Sequence, residues 1–237
     1  MKKIAMLFAA TLAGLASAVT YNWADTPVAS GSYGTSGSLA EDYQSTKDSS
    51  TIYSVSATGG LPGASDAVRT LFCVYNSSTA QGVGVALSGS GHLILAAGIN
   101  EKENRFTWIE DVFVSANNPN YASTDAGAVS SSYSDLKYSL TIDRDEAGVA
   151  TIKLYGTEDG TGAAILSLSN VTFGSVVFDK VGIGKDPAVF VEGASDAQFG
   201  ALTSATVKAG VVTPVPEPTV LALLALGVAG LALRRKA

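Results

Sequence analysis

The chain has 237 residues, 46% of them hydrophobic, with one cysteine, one histidine and a formal net charge of −6. This excludes an internal disulfide and a histidine-built metal site, and the acidic balance argues against a nucleic-acid surface. Five of the 15 basic residues (Lys2, Lys3, Arg234, Arg235, Lys236) and one of the 21 acidic ones (Glu217) sit at the two ends, so residues 19–214 hold 10 basic and 20 acidic groups, near −10.

That central stretch of 196 residues is a comfortable size for one domain with its own core. Its acidity also argues against polyanionic glycans and is compatible with solubility outside the cell or with cation binding.

At the N-terminus, Lys2 and Lys3 form a positive region, residues 4–15 an apolar one, and Ala16-Ser17-Ala18 the small-x-small pattern that signal peptidase accepts. Cleavage is expected after Ala18, with Ala16 and Ala18 as the recognised residues, so residues 1–18 read as a signal peptide. The apolar run is too short and too rich in small residues to prefer spanning a membrane. Residues 19–50 carry Tyr21, Trp23, Tyr33 and Tyr43 among many Ser and Gly, and read as a first strand followed by a long surface loop.

Short β-type runs then alternate with turn clusters. The predicted strands are residues 51–57, 68–75, 82–87, 92–97, 105–114, 136–143, 149–155, 164–168, 176–183 and 201–207. Cys73 alternates with Leu71 and Tyr75 and reads as a small buried hydrophobe, and His92 as a strand-entry residue. The clearest unit is a hairpin. Tyr138, Leu140 and Ile142 alternate with polar residues, residues 144–148 form a charged connector ending in Gly148, and Ile152 and Leu154 alternate with Thr151 and Lys153. One face of such a pair lies on a core and the other in water. Residues 117–134 read as a polar loop, and residues 208–214 as a linker leading into Pro214, Pro216 and Pro218, which favour an extended spacer.

About ten strands in one domain point to an all-β fold, a two-sheet antiparallel β-sandwich over residues 19–207. A β-solenoid would pattern similarly, although the sequence has no exact internal repeat.

The tail, residues 215–237, has three parts. They are Pro216-Glu217-Pro218, an apolar helix over residues 219–233, and the basic cluster Arg234, Arg235 and Lys236. The 14 apolar residues 220–233 span about 21 Å as a helix, short of a bilayer core of about 30 Å. Snorkelling arginine stems extend the span. The positive-inside rule leaves the basic cluster cytoplasmic and the central domain outside.

This tail resembles the PEP-CTERM sorting signal of bacterial exported proteins. The resemblance implies an exosortase as partner, a membrane-embedded cysteine protease-transpeptidase acting at or near Pro216, Glu217 and Pro218. It also implies a bacterium that makes exopolysaccharide.

The central domain resembles the laminin-G-like or concanavalin A-like jelly-roll superfamily, on Ile142-Asp143, Leu154-Tyr155, Glu158-Asp159-Gly160 and Gly182-Ile183-Gly184. That resemblance implies a jelly-roll-like sandwich.

Catalytic constellations are not apparent. Adjacent Glu110 and Asp111 would point to opposite faces of a strand, so they cannot act as a glycosidase pair. The single His92 has no Gly-x-Ser-x-Gly elbow to serve, and the Gly-rich pieces lack the strand-to-helix setting of a phosphate loop. No cofactor is required. Calcium is the one ion the loops suggest, at Asp143, Asp145 and Glu146 or, at the opposite end of the sandwich, at Glu158 and Asp159, against the alternative of solvated turn carboxylates. For carbohydrate, Trp23 and Tyr121 are the aromatic candidates because both lie in polar surroundings.

The expectation is an exported, non-enzymatic surface or exopolysaccharide-matrix protein with a structural or adhesive role. Its partners would be signal peptidase, an exosortase, the membrane before processing, and exopolysaccharide or other glycans. A lectin-like carbohydrate-binding module is the alternative, and a divergent polysaccharide hydrolase is the least supported option.

Overall fold

The computed structural model describes residues 20–26, 35–58, 69–87, 92–98, 121–123, 135–184 and 204–213. The signal segment, the predicted strand 105–114 and the whole tail from residue 214 lie outside the described residues. Trp23–Val211 forms one compact unit, while Met1–Asn22 and Val212–Ala237 group separately.

Twelve strands are described: β1 Thr20–Thr26, β2 Thr35–Ser38, β3 Ser49–Thr58, β4 Arg69–Tyr75, β5 Gly82–Leu87, β6 Leu93–Gly98, β7 Tyr121–Ser123, β8 Asp135–Arg144, β9 Val149–Tyr155, β10 Leu166–Thr172, β11 Lys180–Ile183 and β12 Ser204–Thr213. They form two six-stranded sheets. The first runs β1-β12-β3-β8-β9-β10 and the second β2-β11-β4-β5-β6-β7. The pairings with a resolved register are all antiparallel, including β3 with β8, β8 with β9 and β4 with β5.

Alternation explains the packing. In β3, Tyr53 and Val55 are buried in the core while Ser54 and Ser56 occupy the other face. On β8 and β9 the core residues are Leu140, Ile142, Ile152 and Leu154. From the second sheet, Leu71, Phe72, Val83, Val85, Leu93 and Leu95 complete the same cluster. The two inner faces thus share one hydrophobic core, the arrangement of a sandwich. The hairpin is as read: Leu140 pairs with Leu154 and Ile142 with Ile152, and Gly148 closes the turn at φ 78°. Cys73 is buried and His92 stands immediately before β6.

Four expectations are corrected. Residues 208–213 are not a linker: β12 runs to Thr213, hydrogen-bonded to β3 from Ser204↔Thr58 to Val211↔Thr51. The alternation Val207-x-Ala209 keeps that strand's inner face apolar through the stretch. The presumed long loop after β1 contains β2, a 3-10 turn at Glu41–Tyr43, and a bridge from Ser45 to Phe178. β7 sits within the presumed polar loop 117–134. The run 176–183 becomes a strand only at Lys180, because the chain before it turns to place Phe178 in the core.

Among the described residues no helix is long and apolar enough to cross a membrane.

Candidate functional site

The first sheet turns a polar face outward. Register places Thr206 beside Ser56 and Lys208 beside Ser54 on that face. β8 continues the rows with Lys137 and Ser139. Because Val55 and Val207 face the core, their neighbours in sequence must face out.

A groove of about 450 Å³ lies on this face, lined by Trp23, Ser54, Ser56, Glu158, Asp159, Thr206 and Lys208. Trp23 of β1 is half-buried and forms one wall. Its indole packs on Gly210, where a β-carbon would fall 3.1 Å from Cε3 of the ring. Glycine at 210 therefore lets the ring lie against the backbone of β12.

The opposite wall is the connection between β9 and β10, which folds back over the sheet as a strap. Ser139 Oγ donates to the carbonyl of Thr157 at 2.7 Å. Thr157 Oγ1 donates to the carbonyl of Thr161 at 2.9 Å. Asp159 Oδ1 accepts from Thr161 Oγ1 at 2.7 Å and from Thr161 N–H at 3.2 Å. These hydrogen bonds hold the Asp159 carboxyl below its ordinary pKa of 3.8. Gly160 takes φ 71°, and a β-carbon there would meet Ile52 Cδ1 at 2.8 Å.

The groove therefore combines an indole face, three hydroxyls, an ammonium and two carboxylates. Such a set suits a ligand with an apolar face and a rim of hydroxyl groups.

The two aromatic candidates do not come together. Trp23 lines the groove, whereas Tyr121 opens β7 opposite Ala96 in the second sheet. Trp23 was legible as an aromatic in polar surroundings. Its partners in the groove were not, since β12 and the strap are more than a hundred residues away in sequence.

A second hollow of about 440 Å³ includes Asp48, Ser50, Asp143, Asp145, Thr151 and Asn170 in its lining. Asp143 accepts a hydrogen bond from Ser50 Oγ. Asp145 Oδ1 accepts from Ala147 N–H and Val149 N–H, each at 2.9 Å, so it closes the hairpin turn. Glu146 is exposed in that turn and does not line the hollow. Asp48, which the sequence did not single out, is brought in by the pairing of β3 with β8 and donates its N–H to the Asp145 carbonyl at 3.1 Å. Among the described residues no group of three or more His, Cys, Asp or Glu is arranged to hold a metal ion.

Residues 214–236 match the model of the PEP-CTERM protein-sorting motif. The chain carries that sorting motif. The motif implies a secreted chain that is held transiently in the membrane and sorted to the cell surface by an exosortase. Pro216, Glu217, Pro218, Arg234, Arg235 and Lys236 all fall within the match, outside the described residues.

No curated protein matches the chain in sequence. Among solved structures, it is similar to the CBM40 domain of the Ruminococcus gnavus IT-sialidase bound to α2,6 sialyllactose (TM-score 0.41, 14% identity, covering 83% of this chain and 95% of that one). It is also similar to an endo-β-1,4-glucuronan lyase from the fungus Trichoderma reesei (TM-score 0.41, 14% identity, 79% and 77%). A leech intramolecular trans-sialidase gives a TM-score of 0.39 at 12% identity, over 82% of this chain and 26% of that one. Superpositions this loose identify no ligand for this chain.

Proposed function

We propose that this is a non-enzymatic surface or exopolysaccharide-matrix protein that adheres to glycan through the groove of the first sheet. Export begins with a signal peptide cleaved after Ala18. The apolar helix over residues 219–233 then holds the chain, with Arg234, Arg235 and Lys236 left in the cytoplasm. An exosortase processes it at or near Pro216, Glu217 and Pro218.

The observation that carries the adhesive role is the placement of Trp23 as the wall of a groove floored by Ser54, Ser56 and Thr206. An indole covers the C–H face of a sugar ring while hydroxyl and charged groups take its rim. A binding role is favoured over hydrolysis because Glu158 and Asp159 are neighbours in one strap and Asp159 is committed to Thr161. Hydrolysis needs two carboxyl groups flanking the scissile bond.

The test is binding of the full chain, in detergent, to the producing bacterium's exopolysaccharide, with and without chelator. Trp23→Ala should weaken binding about tenfold, an aromatic face being worth about 1–1.5 kcal/mol. Trp23→Phe should retain most of it, and chelator should change nothing. Loss of binding in chelator would move the site to the Asp48, Asp143 and Asp145 hollow.

A further inference from the structure

Ile52 sits where a polar residue belongs. In β3 it follows the outward series Ser56 and Ser54, and register sets it beside Gly210 and Thr141 on the same face. It is nevertheless fully buried. Two glycines account for this. A β-carbon at 210 would fall 2.8 Å from Ile52 Cγ2 and 3.1 Å from the Trp23 ring, so Ile52 and the indole meet over Gly210. A β-carbon at 160 would fall 2.8 Å from Ile52 Cδ1, so the strap rests on the other side of the same side chain.

The indole and the strap at Gly160 thus close over Ile52 to form a back wall behind Ser54 and Lys208, and Ile52 lies beneath that wall without itself lining the groove. Exposure rises away from the wall: Ser54 is 5% exposed, Ser56 is half-buried and Thr206 is exposed. Rows on one strand face are about 6.8 Å apart, so two rows stand in front of Ile52, the outer one holding Ser56 and Thr206. The groove's volume of about 450 Å³ is toward the small end of ligand pockets, roughly 300–1,000 Å³.

We infer that the groove is a blind slot for the terminal sugar of a neutral glycan chain and not a trough for its interior. This deepens the adhesive reading and rests on it. A chain running through would have to pass between the indole and the strap where they cover Ile52. The terminal ring enters with its apolar face on Trp23 and its hydroxyls toward Ser54, Ser56 and Lys208. Lys208 on the floor and Glu158 and Asp159 on the strap leave the slot without a strong excess of either sign, which suits an uncharged sugar.

The experiment compares the producing bacterium's exopolysaccharide intact and after mild acid cleavage to short oligosaccharides, titrated against the full chain in detergent at equal sugar mass. Apparent affinity per mass should rise in proportion to the fold increase in chain ends. Ile52→Ala should remove that dependence by opening the back wall, and the wild-type length series decides the matter should the variant fail to fold. Binding that tracks mass whatever the chain length would overturn end recognition and leave the adhesive reading standing. Absence of binding by both samples would overturn the adhesive reading and the slot together.

Discussion

The guanidinium of Arg144 lies 5.3 Å from the centre of the Phe178 ring and 5.7 Å from that of Phe173. Among the described residues its guanidinium hydrogen bonds go to carbonyls and not to a carboxylate. Nη1 donates to the carbonyls of Ser45 at 2.9 Å and Val176 at 2.7 Å, and Nη2 to that of Gly174 at 2.8 Å. One side chain at the end of β8 thus ties the segment after β2 to the connection between β10 and β11. Burial lowers its pKa from the ordinary guanidinium value, and the carbonyls and ring faces supply the compensation that a buried charge requires.

Arg144→Met should therefore destabilise the domain by about 2–4 kcal/mol, since three carbonyls lose their donor at about 1–3 kcal/mol each, partly offset by relief of charge burial. Arg144→Lys should recover part of this, because an ammonium lacks the planar fork that reaches three carbonyls. Urea denaturation midpoints measure both. A methionine variant as stable as the parent would show that the carbonyls find other donors.

The strap should respond to acid. The Asp159 carboxyl is held below 3.8 by Thr161, so its charged form is favoured in the folded chain. Its contribution is fully present above the unfolded value and is lost as pH falls through the lower folded value. Glycan binding should therefore be flat from neutral pH down to 3.8 and decline only at more acid pH. Asp159→Asn should weaken binding at neutral pH and flatten that acid limb. An acid limb that persists in the variant would assign it to another carboxyl.

Much of the sandwich was legible because alternation is a local signal. Tyr138, Leu140 and Ile142 set the face of β8, and Gly148 fixed the turn. β2 was missed because Thr-Ser-Gly-Ser carries no apolar residue, and it is a strand only through its pairing with β11. The end of β12 was read as linker because prolines follow it, yet its pairing with β3 continues to Val211. Trp23 was readable as a candidate. The strap was readable as an acidic turn and a calcium candidate, but nothing in Glu158-Asp159-Gly160 announces that it lands on Ile52.

Gly210→Ala tests the seat of the indole without altering any group that would touch sugar. The added methyl would lie 2.8 Å from Ile52 Cγ2 and 3.1 Å from the Trp23 ring, so the ring has to lift or the strand has to shift. Tryptophan emission should move to longer wavelength and glycan affinity should fall about tenfold, with stability reduced by about 1–3 kcal/mol. Unchanged emission and affinity would place the indole elsewhere in solution.

Little chain separates the end of the fold from the sorting motif. β12 extends to Thr213, and the sorting motif begins at residue 214. Only residues 214–218 separate that strand from the proposed membrane helix at residue 219, and five residues span at most about 18 Å when fully extended. A membrane-embedded enzyme acting at Pro216, Glu217 or Pro218 must therefore work within a few residues of a hydrogen-bonded strand. Inserting six Gly/Ser residues after Thr213 should speed conversion of the membrane-held form to the processed form in pulse-chase experiments, whereas alanines at 216–218 should block conversion and leave the chain in the membrane fraction. An insertion that leaves the rate unchanged would mean that the strand end already opens at least as fast as the enzyme turns over.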